Sequence, residues 1–219
     1  MFEKLPVWLI RAFSRPRLSR YVVAAQGDPR TAVRLYWWNI EACGALYGPL
    51  HCLELALRNA LHDRLSEAYG RPDWWETAPL DHHGQRLVTD ARRKCERRGT
   101  APTPDAVVAE LSFGFWVSLL SRRYDRGLWV PVLHKAFPLL DQPRKQLHDG
   151  LSSLVLLRNR IMHHEPVHHR DLAADHAKIY RMLGYLSPEL VVEAKVMDRF
   201  PDVLAVRAAA LAGTRPTRF

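Results

Sequence analysis

The sequence predicts an all-α protein, and three observations carry that prediction. Asp28, Thr103 and Ser187 each place a capping side chain directly before a proline, which suits the first turn of a helix. Apolar residues recur at helical spacing along most of the chain. No alternating run of β-branched residues indicates a strand. We therefore expect a helical bundle without a sheet.

The predicted helices follow from local signals, in chain order. The run PVWLIRAF (6–13) is expected to form a helix docked on the core rather than one lying on a membrane surface. One helix is predicted to start after Asp28. A second helix, with a leucine stripe, is predicted to begin at Gly48 and Pro49 and to end at Gly70. The leucines of that stripe are Leu50, Leu53, Leu57 and Leu61. Further helices are predicted at 81–98, 104–122, 129–137, 143–164, 170–186, 188–199 and 201–212.

Composition limits the class of protein. The formal net charge is +9 and the sequence pI about 9.8, with 26 arginines and 6 lysines, which favours a polyanionic partner. A preference of the whole genome for arginine codons is the alternative explanation. The sequence has three cysteines without a C-x-x-C pair, no signal-peptide pattern and no membrane-spanning stretch. These features predict a cytoplasmic protein with no membrane partner. We expect a basic N-terminal segment at 1–17, one domain at 18–186 and a helical appendage with a tail at 187–219.

The segment LLRNRIMHHEPVHH (156–169) contains two incompatible chemical patterns. His164, Glu165 and His168 fit the H-E-x-x-H letters of zinc proteases, which need both histidines one turn apart on one helix. Pro166 stands inside that box and should end the helix near His164. We therefore predict no metal site, with loose zinc binding by the histidines in and near this segment as the alternative. The chain has no G-x-x-x-x-G-K-[ST] or G-x-G-x-x-G loop, so no cofactor is predicted either.

The second pattern is R-N-x-x-x-H, typical of metal-independent ribonucleases, and it is formed by Arg158, Asn159 and His163. The spacing alone is uninformative, because arginine and histidine are abundant in this chain. The context is informative, since two of the three asparagines lie in a Leu-Arg-Asn triplet within a strongly apolar predicted helix. Buried arginines paired with glutamate, such as Arg58 with Glu54, are the alternative explanation of these triplets.

These residue types suit RNA cleavage without a metal. A histidine titrates near neutral pH, so it can take the 2′-hydroxyl proton or protonate the leaving 5′-oxygen. An arginine stays charged, and its planar guanidinium fits phosphate oxygens. Arg158 and His163 are about 140° apart around an ideal helix. One chain therefore presents half of a site, and a two-fold dimer would complete it.

At these residues the sequence resembles the HEPN superfamily, and more closely its Abi family of abortive-infection proteins. The resemblance is carried, in the family's order, by YWWNIEACGALYGPLHCLELALRNAL (36–61), ELSFGFWVSLLSRRY (110–124) and LLRNRIMHHEPV (156–167), and it spans residues 18 to 185. It implies a HEPN-like helical bundle with additional peripheral helices, usually a homodimer, with metal-independent endoribonuclease activity that leaves a 2′,3′-cyclic phosphate. It also implies a role in phage defence or toxin-like growth arrest, with an antitoxin, a guide RNA or a phage trigger as further partner.

The resemblance assigns roles to particular residues. Arg158 would stabilise the phosphorane, Asn159 would orient its neighbours, and His163 would transfer protons. His164 fits the five-residue spacing that the family also allows, so it is the substitute for His163. Supporting residues are expected on the family's second polar helix, here at Glu54, Arg58 and Asn59.

Two basic clusters extend the predicted contact with RNA. Their members are Arg92, Arg93, Lys94 and Arg97 on one predicted helix, and Arg122 and Arg123 at the end of another. Such clusters are more often solvated helix faces than grooves that track RNA. Two rival functions stay open beside the ribonuclease: a non-catalytic RNA-binding or sensor module, and a helical interaction scaffold in which the Leu-Arg-Asn helices only fix packing.

Overall fold

The computed structural model describes residues 5–218, and this part of the chain is helical with no strand, which confirms the all-α prediction. Residues 1–4 and 219, which belong to the predicted N-terminal segment and tail, lie outside the described residues. None of the helices in 5–218 combines the length and apolarity needed to cross a membrane. The α-helices, α1 to α11, are Val7–Phe13, Arg15–Ala24, Pro29–Tyr69, His82–Arg97, Pro104–Glu110, Phe113–Ser118, Arg144–Met162, Leu172–Gly184, Pro188–Met197, Phe200–Ala205 and Arg207–Ala212.

The three predicted helix starts are confirmed by their capping hydrogen bonds. The side chains of Asp28, Thr103 and Ser187 each accept a hydrogen bond from the backbone N–H three residues later, at 2.7, 3.3 and 3.1 Å. These bonds satisfy N–H groups of the first turn that have no partner within the helix. Helices α4, α7, α8 and α9 also lie within two residues of their predicted ends.

The prediction of two helices that meet at Gly48 and Pro49 is wrong. Helix α3 runs unbroken over Pro29–Tyr69 with Pro49 inside it. A proline removes one backbone donor, and its ring normally clashes with the Cβ of the preceding residue. Because Gly48 has no Cβ, that part of the clash is absent and the helix continues.

Two other predicted helices are each divided in two. The helix predicted at 104–122 is interrupted at Leu111, whose backbone is extended (ψ 127°), and a new helix starts because the Ser112 hydroxyl accepts a hydrogen bond from a backbone N–H in the next turn (3.2 Å). The helix predicted at 201–212 is interrupted at Val206 (φ −96°, ψ 8°), which separates α10 from α11.

The α-helix predicted at 129–137 is absent. A π-helical turn, Asp125–Trp129, and a 3-10 turn, Leu133–Ala136, stand there instead. The backbone leaves the α-helical conformation at Val132 (φ −133°, ψ −63°), so the two turns do not join into one α-helix.

The chain divides into two compact units, and the described parts of the first are 5–49, 157–177 and 195–218. Its core is centred on Trp38, which is fully buried. The Trp38 indole donates to the Val203 carbonyl (3.1 Å), and the Arg207 guanidinium lies 4.7 Å from its ring centroid. Buried aromatic and charged groups thus join α3 to α10 and α11 within this unit.

The second unit contains 50–156 and 178–194. The predicted leucine stripe of α3 is confirmed there as core, because all four leucines are at most 2 % exposed. Trp74 is also fully buried, donates to His62 Nδ1 (3.2 Å) and packs against Trp116 at 6.2 Å between ring centroids. The predicted domain boundaries near 17 and 186 stay predictions.

Candidate functional site at the end of α7

Helix α7 ends in a Schellman motif built from residues of the predicted site. The His164 N–H donates to the Ile161 carbonyl (3.0 Å), and the Glu165 N–H reaches back to the Arg160 carbonyl (2.7 Å). His164 occupies the left-handed position of the motif, with φ +57°. Pro166 follows, as is common after such an ending. The two histidines of the H-E-x-x-H letters therefore do not share a helix, as the proline predicts.

Two of the three predicted catalytic residues, Arg158 and Asn159, lie within the last turn and a half of α7. His163 lies directly after Met162, the last residue of α7, and not within the last turn as predicted. Its N–H donates to the Asn159 carbonyl (2.9 Å), and both of these side chains are exposed. Arg158 is half-buried.

The chain after α7 is anchored by Asn39 of α3. Asn39 Oδ1 accepts hydrogen bonds from the backbone N–H groups of Val167 (2.8 Å) and His168 (3.1 Å). Asn39 is only 3 % exposed, so water does not compete for these bonds. Asn39 was not among the site residues predicted from the sequence. Its only local signal is a poor helix former, asparagine, directly after three aromatic residues in a predicted helix.

Arginines from α2, α7 and α11 hold the same loop at 163–168. Their hydrogen bonds run from Arg17 to the carbonyl of His164, from Arg160 to that of Pro166 (3.4 Å) and from Arg207 to that of His168 (3.2 Å). Each guanidinium retains further N–H donors, since it has five in all. The backbone directly after His163 is therefore held at several points, which gives the exposed imidazole a rigid support.

His168 is distinct from the exposed histidines. It is 7 % exposed, and its ring lies 4.9 Å from that of Tyr21. Burial, reinforced by the positive charges of His169 and Arg207, lowers the pKa of His168 to about 4. At neutral pH this imidazole is uncharged, so its role in the folded protein is packing rather than proton transfer.

The predicted supporting residues lie in the second unit, on α3. Glu54 and Arg58 are half-buried and Asn59 is exposed. Arg58 Nε donates to Asn59 Oδ1 (3.0 Å). Asn59, like Asn159, is exposed, so neither asparagine side chain lies in the packed core. The supporting role of these residues stays a prediction.

Half of the predicted RNA-binding residues of the second unit are ion-paired. The pairs are Arg92 with Glu76, Arg93 with Asp90 and Arg123 with Asp81. Within 5–218, Lys94, Arg97 and Arg122 form no ion pair, so they are the stronger candidates for phosphate contacts. The second cluster lies in a 3-10 turn after α6, since that helix ends at Ser118.

Comparison with known proteins gives this chain no relative. No protein-family model, no curated protein and no solved structure matches it significantly. Among the described residues, no three histidine, cysteine or carboxylate side chains are grouped so that they would hold a metal ion. A functional proposal must therefore be supported by the sequence motif and by the geometry at the end of α7.

Proposed function

We propose that this protein is a metal-independent endoribonuclease of the HEPN type that acts in phage defence or toxin-like growth arrest. The observation that carries the proposal is the exposed imidazole of His163 at the carbonyl end of α7, five residues after Arg158 and next to a loop held by buried hydrogen bonds. The reaction requires a solvent-accessible group that transfers protons and a permanent cation near the phosphate.

The chemistry begins with attack of the RNA 2′-oxygen on the adjacent phosphorus. The 2′-hydroxyl gives up its proton, the bond from phosphorus to the 5′-oxygen breaks, and that oxygen takes up a proton. The products are a 2′,3′-cyclic phosphate and a 5′-hydroxyl. His163 supplies one of the two proton transfers, and Arg158 offsets the extra negative charge of the phosphorane.

A second copy of the chain supplies what one copy lacks. His163 directly follows α7, and on an ideal helix its five-residue separation from Arg158 corresponds to about 140°, so the two side chains do not project from one stripe. A two-fold axis next to this helix end brings a second histidine and a second arginine to the same phosphate. One histidine then acts as base and the other as acid.

The test is cleavage of total cellular RNA by purified protein in EDTA. Wild type is compared with His163→Ala and Arg158→Ala, and with His82→Ala as a matched exposed histidine at the start of α4. We expect wild type and His82→Ala to cut the RNA and the other two variants to leave it intact. Intact RNA with folded wild type, dependence on a divalent metal, or full activity of His163→Ala would each refute the proposal. RNA binding without cutting would favour the sensor module.

A further inference from the structure

A cavity of about 380 Å³ lies within the first unit, beside the end of α7. Its lining comes from α1, α2, α3, α7 and the residue in the left-handed position of the Schellman motif. Six of the lining residues are Phe13, Arg17, Tyr21, Tyr36, Asn39 and His164. The cavity is therefore adjacent to the proposed catalytic histidine, and its walls are partly aromatic and partly polar.

Three aromatic rings form one side of this cavity. The ring centroids of Phe13 and Tyr36 are 4.8 Å apart, and those of Tyr21 and Tyr36 are 5.1 Å apart. Tyr21 and Tyr36 are 2 % and 6 % exposed, and their hydroxyls have no hydrogen-bond partner within 5–218. Neither hydroxyl oxygen is among the fully buried polar atoms without a partner, so each keeps some contact with solvent, and a polar ligand in the cavity can take the place of that water.

Hydrogen-bond donors and one permanent cation complete the lining. The Asn39 oxygen is occupied by two backbone N–H groups, so this side chain offers its Nδ2 donors, and the nearest partner of that nitrogen is the Cys43 sulfur at 3.7 Å, a weak acceptor. Burial raises the pKa of Cys43 to about 12, so its thiol stays neutral. Arg17 uses one donor on the His164 carbonyl and keeps others for a ligand. Among residues 5–218, the lining contains no carboxylate.

These features select one ligand chemistry. A cationic ligand would meet Arg17 without any compensating carboxylate. A purely apolar ligand would leave two tyrosine hydroxyls without a polar partner and Asn39 Nδ2 with only the weak Cys43 acceptor, which is unfavourable. A flat ring with hydrogen-bond acceptors, joined to an anion, satisfies every part of the lining. Aromatic side chains stack on nucleobases, and arginine binds phosphate.

We propose that this cavity binds one nucleotide, with its base against the ring of Phe13 and within reach of the Tyr21 and Tyr36 hydroxyls, and its phosphate on Arg17. In taking that nucleotide to be part of the RNA substrate, next to the cleaved bond, this inference rests on the proposed function. The volume suits a single nucleotide, since it lies near the lower end of the range for small-molecule sites, about 300 to 1,000 Å³. The base in the cavity then determines where the RNA is cut.

The first experiment measures binding by calorimetry on the full chain. The probes are the four ribonucleoside 5′-monophosphates, the corresponding nucleosides and ribose 5-phosphate. Ile40→Phe fills the cavity, because Ile40 is part of its lining, and Ile10→Phe is the matched control at a half-buried isoleucine outside it. We expect at least one nucleotide to bind wild type and Ile10→Phe, with at least ten-fold weaker binding to Ile40→Phe. Arg17→Ala should weaken the nucleotide but not the nucleoside. No binding to wild type, or equal binding to Ile40→Phe, would overturn the assignment.

The second experiment separates free nucleotide from RNA as the source of the ligand. A short oligoribonucleotide is added to the His163→Ala variant loaded with the mononucleotide. Displacement, together with loss of base preference at the cut site in Ile40→Phe, supports RNA as the source. A mononucleotide that RNA does not displace would overturn that source and keep the nucleotide site. Nucleotide binding without any RNA cleavage would refute the proposed function alone, whereas cleavage without nucleotide binding would refute the cavity assignment alone.

Discussion

His164→Gly is predicted to stabilise the protein. His164 holds the left-handed position of the Schellman motif with φ +57°, where glycine is the usual residue. Gln26 holds the same position at the end of α2, with φ +52° and the same pair of backbone bonds, from Gln26 to Val23 and from Gly27 to Val22. The two positions share this backbone geometry, but only His164 lies next to the proposed catalytic residue. Gln26→Gly is therefore the matched control for His164→Gly.

The size of the effect follows from two opposing quantities. The left-handed conformation costs a residue with a Cβ about 1 to 2 kcal/mol. Glycine removes that cost but loses about 0.5 to 1 kcal/mol more entropy on folding. The net gain is about 0.5 to 1 kcal/mol for each substitution, which raises Tm by about 1 to 4 °C in a chain of this length. The bond from Arg17 to the His164 carbonyl involves only the backbone of residue 164, so the substitution leaves it in place.

The assay is urea unfolding of wild type, His164→Gly, Gln26→Gly and the double variant. We expect equal single gains that add in the double variant. An increase in the free energy of unfolding for Gln26→Gly without one for His164→Gly would refute this reasoning. It would mean that contacts of the His164 imidazole stabilise the fold by as much as the left-handed conformation destabilises it. RNA cleavage by the same proteins decides between the two histidines, because His164→Gly stays active only if His163 is the catalytic one.

Three further predictions concern stability. Burial lowers the pKa of His168 from 6.5 to about 4, so below pH 6.5 the unfolded chain binds more protons than the folded one. The contribution of His168 to stability is therefore full above pH 6.5 and falls below it, by about 1 kcal/mol between pH 7 and 5.5. Urea titration at these two pH values is the check, and His168→Gln should lose the difference. Asn39→Leu leaves two buried N–H groups unpaired and should cost about 3 kcal/mol, whereas Asn39→Asp keeps the acceptor and should cost clearly less; equal losses in chemical unfolding would contradict this. Asp81 caps α4, and the hydrogen bond from the Gly84 N–H is the main cause that lowers its pKa to about 2. Asp81→Ala should therefore cost about 1 kcal/mol of stability at pH 7, and this cost should shrink as the pH falls from 3.8 toward 2. A cost that does not change with pH would argue against the cap.

Local signals in the sequence predicted the parts of the fold that depend on neighbouring residues. The caps at Asp28, Thr103 and Ser187 act over three residues, and Pro166 limits the residue directly before it. The leucine stripe of α3 is periodic, so its burial follows from helical geometry alone. Pro166 also predicted that α7 ends near His164, and the helix ends two residues earlier, at Met162.

Features that depend on distant residues were not predictable. Asn39 bonds to Val167 across 128 positions, and Arg207 bonds to His168 across 39, so no local pattern indicates either contact. The continuity of α3 through Pro49 was missed because the usual rule for proline was applied without weighing the absent Cβ of Gly48. The cavity beside α7 joins residues of separate helices, and only the fold brings their rings together.

The most direct test of the central claim identifies the ends of the cleavage products. A defined RNA and its 2′-O-methyl analogue are incubated in EDTA with wild type and with His163→Ala, and the products are analysed by mass spectrometry. The predicted result is a 2′,3′-cyclic phosphate and a 5′-hydroxyl from the RNA with wild type only, and no cleavage of the analogue. Products with a 5′-phosphate, or cleavage of the 2′-O-methyl RNA, would contradict cleavage by 2′-hydroxyl attack at Arg158 and His163.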